Sequence, residues 1–166
     1  MNLMAEEGLM RGAEYRAQLR DCRVTVVGLG LSGVASCRLL RDLGAVVTAT
    51  DRKPLDALPA EARELQARGV TLYPGAHPPE AFESAEIVVL SPGVPLGYPA
   101  LARARALGTP VIGELELAWR VMEAQVIAIT GTNGKTTTTA LTGALLGQQS
   151  RPVLVGGNIG RPLSAH

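Results

Sequence analysis

The clearest chemistry lies at 126–137, where a run of β-branched and small apolar residues leads through Gly131-Thr132-Asn133-Gly134 into Lys135-Thr136-Thr137. Strand, glycine turn and helix start, in that order, make a phosphate loop. Glycines let backbone N–H groups approach phosphate oxygens, and the first turn of a helix favours negative charge. Lys135 is the candidate catalytic cation, able to reach β- and γ-phosphates, and the Thr136 hydroxyl is the candidate metal ligand for Mg²⁺. Gly131, Thr132, Asn133, Gly134, Lys135, Thr136 and Thr137 form the candidate ATP-binding set. The spacing departs from G-x-x-x-x-G-K-[ST], because Ile129 stands where the first glycine should be, and only the shorter G-x-x-G-K-T fits. The competing reading is an ordinary glycine turn. Composition speaks against it: 14 of the 16 basic residues are Arg, yet position 135 is Lys.

A second glycine pattern lies upstream. Residues 23–27 read as a buried strand and run into Gly28-Leu29-Gly30-Leu31-Ser32-Gly33, after which 34–43 has helical spacing and 45–50 reads as a second strand ending at Asp51. This strand, G-x-G-x-x-G, helix, strand and acid sequence matches a dinucleotide-type fingerprint. Its glycines permit a tight turn and close approach to a pyrophosphate, and Asp51 is placed to accept hydrogen bonds from a ribose or base. A turn or cap role for Asp51 before Pro54 is the other reading.

The elements that must position these residues alternate. A short helix is expected at 13–20 after a loose leader over 1–11, an amphipathic helix at 59–68, and a strand at 70–73. A turn-rich link follows, in which His77 reads as solvated, then a strand at 86–90 that ends in Ser91-Pro92-Gly93. Further expectations are a helix at 98–107, a strand at 110–112, and a helix at 114–122 with Leu115, Ala118, Trp119 and Met122 on one stripe and with Glu114 and Glu116 solvated or interfacial. Beyond the phosphate loop come a helix at 138–146 and a strand at 152–155. The alternation predicts an α/β fold, a Rossmann-like parallel sheet with helices on both faces, followed by the start of a phosphate-loop ATPase domain. Gly113 is the expected boundary, giving domains at 1–113 and 114–166, the second incomplete.

Composition narrows the function. The chain has 166 residues, a net charge of +1 and five aromatic residues, which points away from nucleic acid and from charged membrane surfaces. No stretch approaches transmembrane length and no basic segment precedes an apolar run at the start, so a cytoplasmic protein is expected. Cys22 and Cys37 lack metal-ligand or redox spacing and read as small thiols in a reducing compartment. Residues 124–166 contain no Asp or Glu, so this module lacks a second carboxylate for the metal. The expectation is therefore the amino-terminal part of a longer enzyme, inactive alone.

Taken together, GLGLSG, SPG at the end of the fourth strand, GELEL, ITGTNGKTTT and GGNIG resemble the Mur ligases of peptidoglycan synthesis, over about residues 24–163. The resemblance implies a uridine-nucleotide domain, then a central ATPase domain. It implies an ATP- and Mg²⁺-dependent ligase that joins D-glutamate to UDP-N-acetylmuramoyl-L-alanine through an acyl phosphate, as a monomer with neither a nucleic-acid nor a membrane partner. It places Gly30, Leu31, Ser32, Asp51, Arg52, Lys53, Ser91 and Gly93 around the uridine diphosphate and Asn158 toward the muramoyl part. Arg52 and Lys53 follow the acid where the family pattern has a small hydroxyl residue and then Arg. Two other classes fit parts of the chain. An NAD(P)-binding oxidoreductase or sensor would explain residues 28–51 alone, and a non-enzymatic nucleotide-binding module would suit the missing acids.

Overall fold

The computed structural model describes residues 10–149, 152–157 and 161–166. Five parallel strands, β1 (Arg23–Val27), β2 (Val46–Asp51), β3 (Thr71–Pro74), β4 (Ile87–Leu90) and β5 (Val111–Gly113), form one sheet in the order β3-β2-β1-β4-β5. Parallel strands buried on both faces need continuous apolar runs. β4 has one, Ile87–Leu90, and in β1 the run is interrupted only by Thr25, whose buried hydroxyl donates to the Ala81 carbonyl; Val24, Val26, Val27, Val88 and Val89 are all at most 1% exposed.

Helices cover both faces. One layer contains α1 (Gly12–Gln18), α2 (Leu31–Asp42) and α6 (Glu114–Val121), and it buries Tyr15, Leu19, Leu40, Leu117 and Val121 against Val24, Val26 and Val89. On the other face α4 (Glu80–Glu83) and α5 (Pro99–Ala106) bury Phe82, Leu101 and Ala104 against Val27 and Val88. Cys37 lies wholly inside the first layer, where burial pushes its thiol up to about 12 and leaves it unreactive.

Several expected elements differ. α2 begins at Leu31, three residues early, because Gly30 serves as its N-cap. The helix expected over 59–68 divides into α3 (Ala60–Arg63) and a 3₁₀ turn (Glu64–Arg68), which stops at Gly69 in the left-handed region, φ 78°. With only Ala62 and Leu65 buried, little packing holds the segment to α geometry, and 3₁₀ winding is common at such ends. On α6 the buried stripe is Leu117, Ala118 and Val121, while Leu115 is 56% exposed.

The larger correction concerns the second module. Residues 126–130 and 152–155 are not strands, and Ile127 is 64% exposed. A strand is completed by a neighbour, and no described residue pairs with either segment. α7 (Lys135–Leu146) does form, opening at Lys135 where the phosphate-loop pattern puts the helix start, but it buries none of its residues.

Candidate functional site

Three loops meet at the carboxyl edge of the sheet, because β1 lies between β2 and β4 and their ends share one level: Val27 is opposite both Thr50 and Leu90. From β1 the chain winds outward through β2 to β3, then returns to the other side for β4 and β5. The crevice between the loops after β1 and β4 is thus a topological switch point, where open α/β sheets bind ligands.

The first glycine loop is built for close approach. Gly28 is left-handed (φ 92°), and a Cβ at Gly33 would sit 1.7 Å from the Gly28 carbonyl oxygen, so only glycine lets α2 start tight against β1. Gly30 is exposed, with nothing within 4 Å of a Cβ position, and leaves the first turn of α2 open to a ligand. That turn contains no acid, and Gly30 has no side chain to cap its N–H groups. An anion is favoured there by both the free donors and the helix dipole. Leu31 is 75% exposed beside it, and Ser32 is half-buried.

Behind the loop stand two of the expected ligand residues. Ser91 is buried, and its hydroxyl donates to the Gly28 carbonyl at 2.8 Å. Asp51 accepts from the Leu29 N–H at 2.6 Å through one oxygen and from the Lys53 N–H at 2.8 Å through the other. Asp51 therefore ties the glycine loop to its own turn, which leaves only its remaining lone pairs for any other donor. Gly93 (φ 84°), Arg52 and Lys53 are exposed along the rim.

His77 is not free in solvent. Its Nδ1 lies 2.8 Å from the Thr50 hydroxyl, and its ring meets Tyr98 edge-on at 4.7 Å. The Arg52 guanidinium lies 5.9 Å from the Tyr98 ring centre. Burial lowers the His77 pKa, with Asp51 opposing and Arg52 assisting. The sequence separates these residues by loops, so only the fold brings them together. A groove of about 300 Å³ runs from His77 and Tyr98 between α4 and α5, on the flank of the switch-point crevice.

The second glycine loop carries Gly131, Thr132, Asn133, Gly134, Lys135, Thr136 and Thr137, all exposed. Gly134 caps α7 in the left-handed region, φ 75°. The Lys135 ammonium donates to its own loop, to the Gly131 carbonyl and to the Thr132 carbonyl at 3.2 Å. As in α2, the first turn contains no acid. Among the described residues no cluster of three or more His, Cys, Asp or Glu could hold a metal, so Thr136 stands as a lone candidate ligand. Asn158 lies outside the described residues.

Glu114, expected to be solvated or interfacial, is 4% exposed. Its Oε1 accepts from both the N–H (2.8 Å) and the hydroxyl (2.6 Å) of Ser164. Glu116 pairs instead with Arg120 one turn along the helix. Arg11 and Arg16 of the amino-terminal region donate to the carbonyls of Trp119 and Val121, closing the far end of α6.

Comparison with known proteins agrees with this architecture. A family model described as the N-terminal domain of MurD-like Mur ligases matches residues 22–113. UDP-N-acetylmuramoylalanine–D-glutamate ligase of Myxococcus xanthus is 52% identical over 143 residues, covering 86% of this chain and 31% of that protein. The ligase of the same name from Koribacter versatilis is 49% identical over 144 residues, covering 87% and 32%. The chain thus spans about a third of the length of these relatives. A murein peptide ligase structure from Psychrobacter arcticus shares the fold, with a TM-score of 0.55 and 24% identity over 76% of this chain and 26% of that one. UDP-N-acetylmuramate-alanine ligase from Thermotoga maritima does so at a TM-score of 0.50 and 22% identity, covering 75% and 29%.

Proposed function

Since the chain belongs to the family of MurD-like Mur ligase N-terminal domains, we propose that it supplies the uridine-nucleotide site and phosphate loop of a cytoplasmic, monomeric ligase that adds D-glutamate to UDP-N-acetylmuramoyl-L-alanine using ATP. The observation that carries this reading is the pairing of two open, acid-free helix starts in one chain, at Gly30 and at Gly134. Two separate polyphosphate groups need two such sites, and a dinucleotide enzyme needs only the first.

In this reading residues 1–113 hold the uridine diphosphate. The N–H groups at Gly30, Leu31 and Ser32 bind the diphosphate, Arg52 and Lys53 add positive charge at the rim, and Ser91 and Asp51 keep the loop in shape from behind. Gly93 leaves room at the edge of the crevice. In this reading the ATP module begins beyond α6, the helix that packs on the sheet. Gly131–Gly134 backbone donors and Thr137 hold the phosphates, and Lys135 exchanges its loop carbonyls for phosphate oxygens. Mg²⁺, with Thr136 as one ligand, would offset the charge of the phosphates. ATP supplies the phosphoryl group that activates the substrate carboxylate, and the D-glutamate amine then displaces phosphate to form the amide. Lys135 lowers the barrier to the first of these steps, the phosphoryl transfer, by neutralising charge on the phosphoryl group in transit.

Calorimetric titration of this chain with UDP-N-acetylmuramoyl-L-alanine, UDP and NAD tests the first half of the reading. Binding of the uridine compounds without NAD is expected. Binding of NAD alone would overturn it.

A further inference from the structure

We infer that Glu114 is a positioning residue that clamps the ATP module onto the nucleotide domain, an inference that rests on the function proposed above. The chain leaves the last turn of α6 toward the phosphate loop, passes through α7, and returns to the first turn of α6 at Ser164, 50 residues after Glu114. Both ends of this excursion are anchored on one eight-residue helix, about 12 Å long at 1.5 Å per residue. At the departing end, Arg11 and Arg16 hold the Trp119 and Val121 carbonyls. At the returning end, a buried carboxylate takes two hydrogen bonds from one serine.

What the clamp fixes is visible in its neighbours. The 3₁₀ turn Leu163–Ala165 packs on both α2 and α6, so the returning segment rests on the same helix whose start faces the crevice. Leu163 and Leu115 then touch the glycine pair before it: a Cβ at Gly156 would lie 3.1 Å from Leu163, and one at Gly157 would lie 3.9 Å from Leu115. Glu114 thereby sets the register between the nucleotide loop at 28–33 and the module that carries Lys135. A carboxylate exchanged here for a shorter side chain frees the returning end while leaving both glycine loops intact. Misplacement of about 1 Å between reacting groups costs up to about 10²-fold in rate.

The test uses the full-length ligase with the Glu114→Ala, Glu114→Gln and Ser164→Ala variants. Glu114→Ala is expected to lower kcat at least about tenfold while the KM for ATP and the Kd for UDP stay within about twofold, the signature of lost alignment rather than lost binding. Glu114→Gln, whose amide oxygen still accepts both bonds, is expected to keep kcat within about threefold of wild type, and Ser164→Ala, which keeps the N–H bond, falls between. Wild-type kcat in Glu114→Ala overturns the clamp, as does a loss that Gln does not rescue. Should Glu114→Ala fail to fold, Ser164→Ala decides: a lowered kcat with unchanged UDP affinity supports the clamp, and an unchanged kcat overturns it. If the wild-type enzyme does not couple D-glutamate, the proposed function fails. The clamp is then read by amide exchange at 161–165, which must accelerate in Glu114→Ala if the clamp is correct.

Discussion

The chain writes the same local grammar twice, glycine turn then helix start, and supports the two copies differently. The loop at 28–33 is fixed by residues far away in sequence: Asp51 on Leu29, Ser91 on Gly28, and the Gly28 carbonyl against Gly33. The loop at 131–134 is held by its own neighbours, with Lys135 bonded three and four residues back and Thr139 bonded to the Lys135 carbonyl. The first is therefore preorganised by a packed sheet. The second takes its shape from local bonds that a phosphate can replace, so ligand and further protein contacts must complete it.

The division of labour is most sharply tested by Lys135→Ala in the full-length enzyme. Loss of the cation of the second loop is expected to cost about 10²–10³-fold in acyl-phosphate formation, measured by trapping with hydroxylamine. UDP affinity by calorimetry should remain at the wild-type value. Equal loss of both would show that the two loops are one site.

The glycines themselves give the next contrast. Gly33→Ala would force a Cβ to within 1.7 Å of the Gly28 oxygen, and we expect a loss of at least about 4 kcal/mol, in the range reserved for severe overpacking. Gly134→Ala meets no atom within 4 Å but must hold φ 75°, which costs about 1–2 kcal/mol. Urea titration of the two variants should separate them by their midpoints. Comparable destabilisation would mean that the second loop is buttressed as firmly as the first.

Where the sequence was legible, and where it was not, follows the same line. β1 and β4 could be placed because a buried parallel strand advertises itself as a run of β-branched and apolar residues, as Val24–Val27 and Ile87–Leu90 do. Val126 to Ile129 advertises itself equally well and is no strand, because pairing is not a property of the segment. The glycine fingerprint located the crevice. It could not reveal that Ser91 and Asp51 spend their polar atoms on the loop, since those bonds span 63 and 22 residues. Glu114 was illegible for the same reason: nothing near it in sequence announces Ser164. His77 looked solvated in a proline-rich link, and only the fold sets it beside Thr50 and Tyr98.

Burial predicts a smaller contrast. Leu40, fully buried in α2, should lose about 2–5 kcal/mol on replacement by Ala. Leu141 of α7, 59% exposed, should change the stability of this chain by less than about 0.5 kcal/mol on the same replacement. Chemical denaturation checks both. A large effect at Leu141 would reveal that α7 packs in solution.

A small effect, confined to acid pH, is expected at His77, where the rim of the crevice meets solvent. Its folded pKa is below the ordinary 6.5 because burial disfavours the imidazolium, an effect that Arg52 reinforces and Asp51 resists. Above 6.5 the ring is neutral in both the folded and unfolded chain, and it contributes no pH dependence. As pH falls through 6.5, the unfolded chain takes up the proton first, so folding stability declines until the folded ring also protonates. The histidine is only half-buried, so the loss should be under about 1 kcal/mol. Replacing it with Gln should flatten the stability profile below pH 6.5 and leave it unchanged above. A steeper decline in the variant would mean that the protonated ring is stabilised by Asp51 more than it is opposed by Arg52, and that the rim favours a cation.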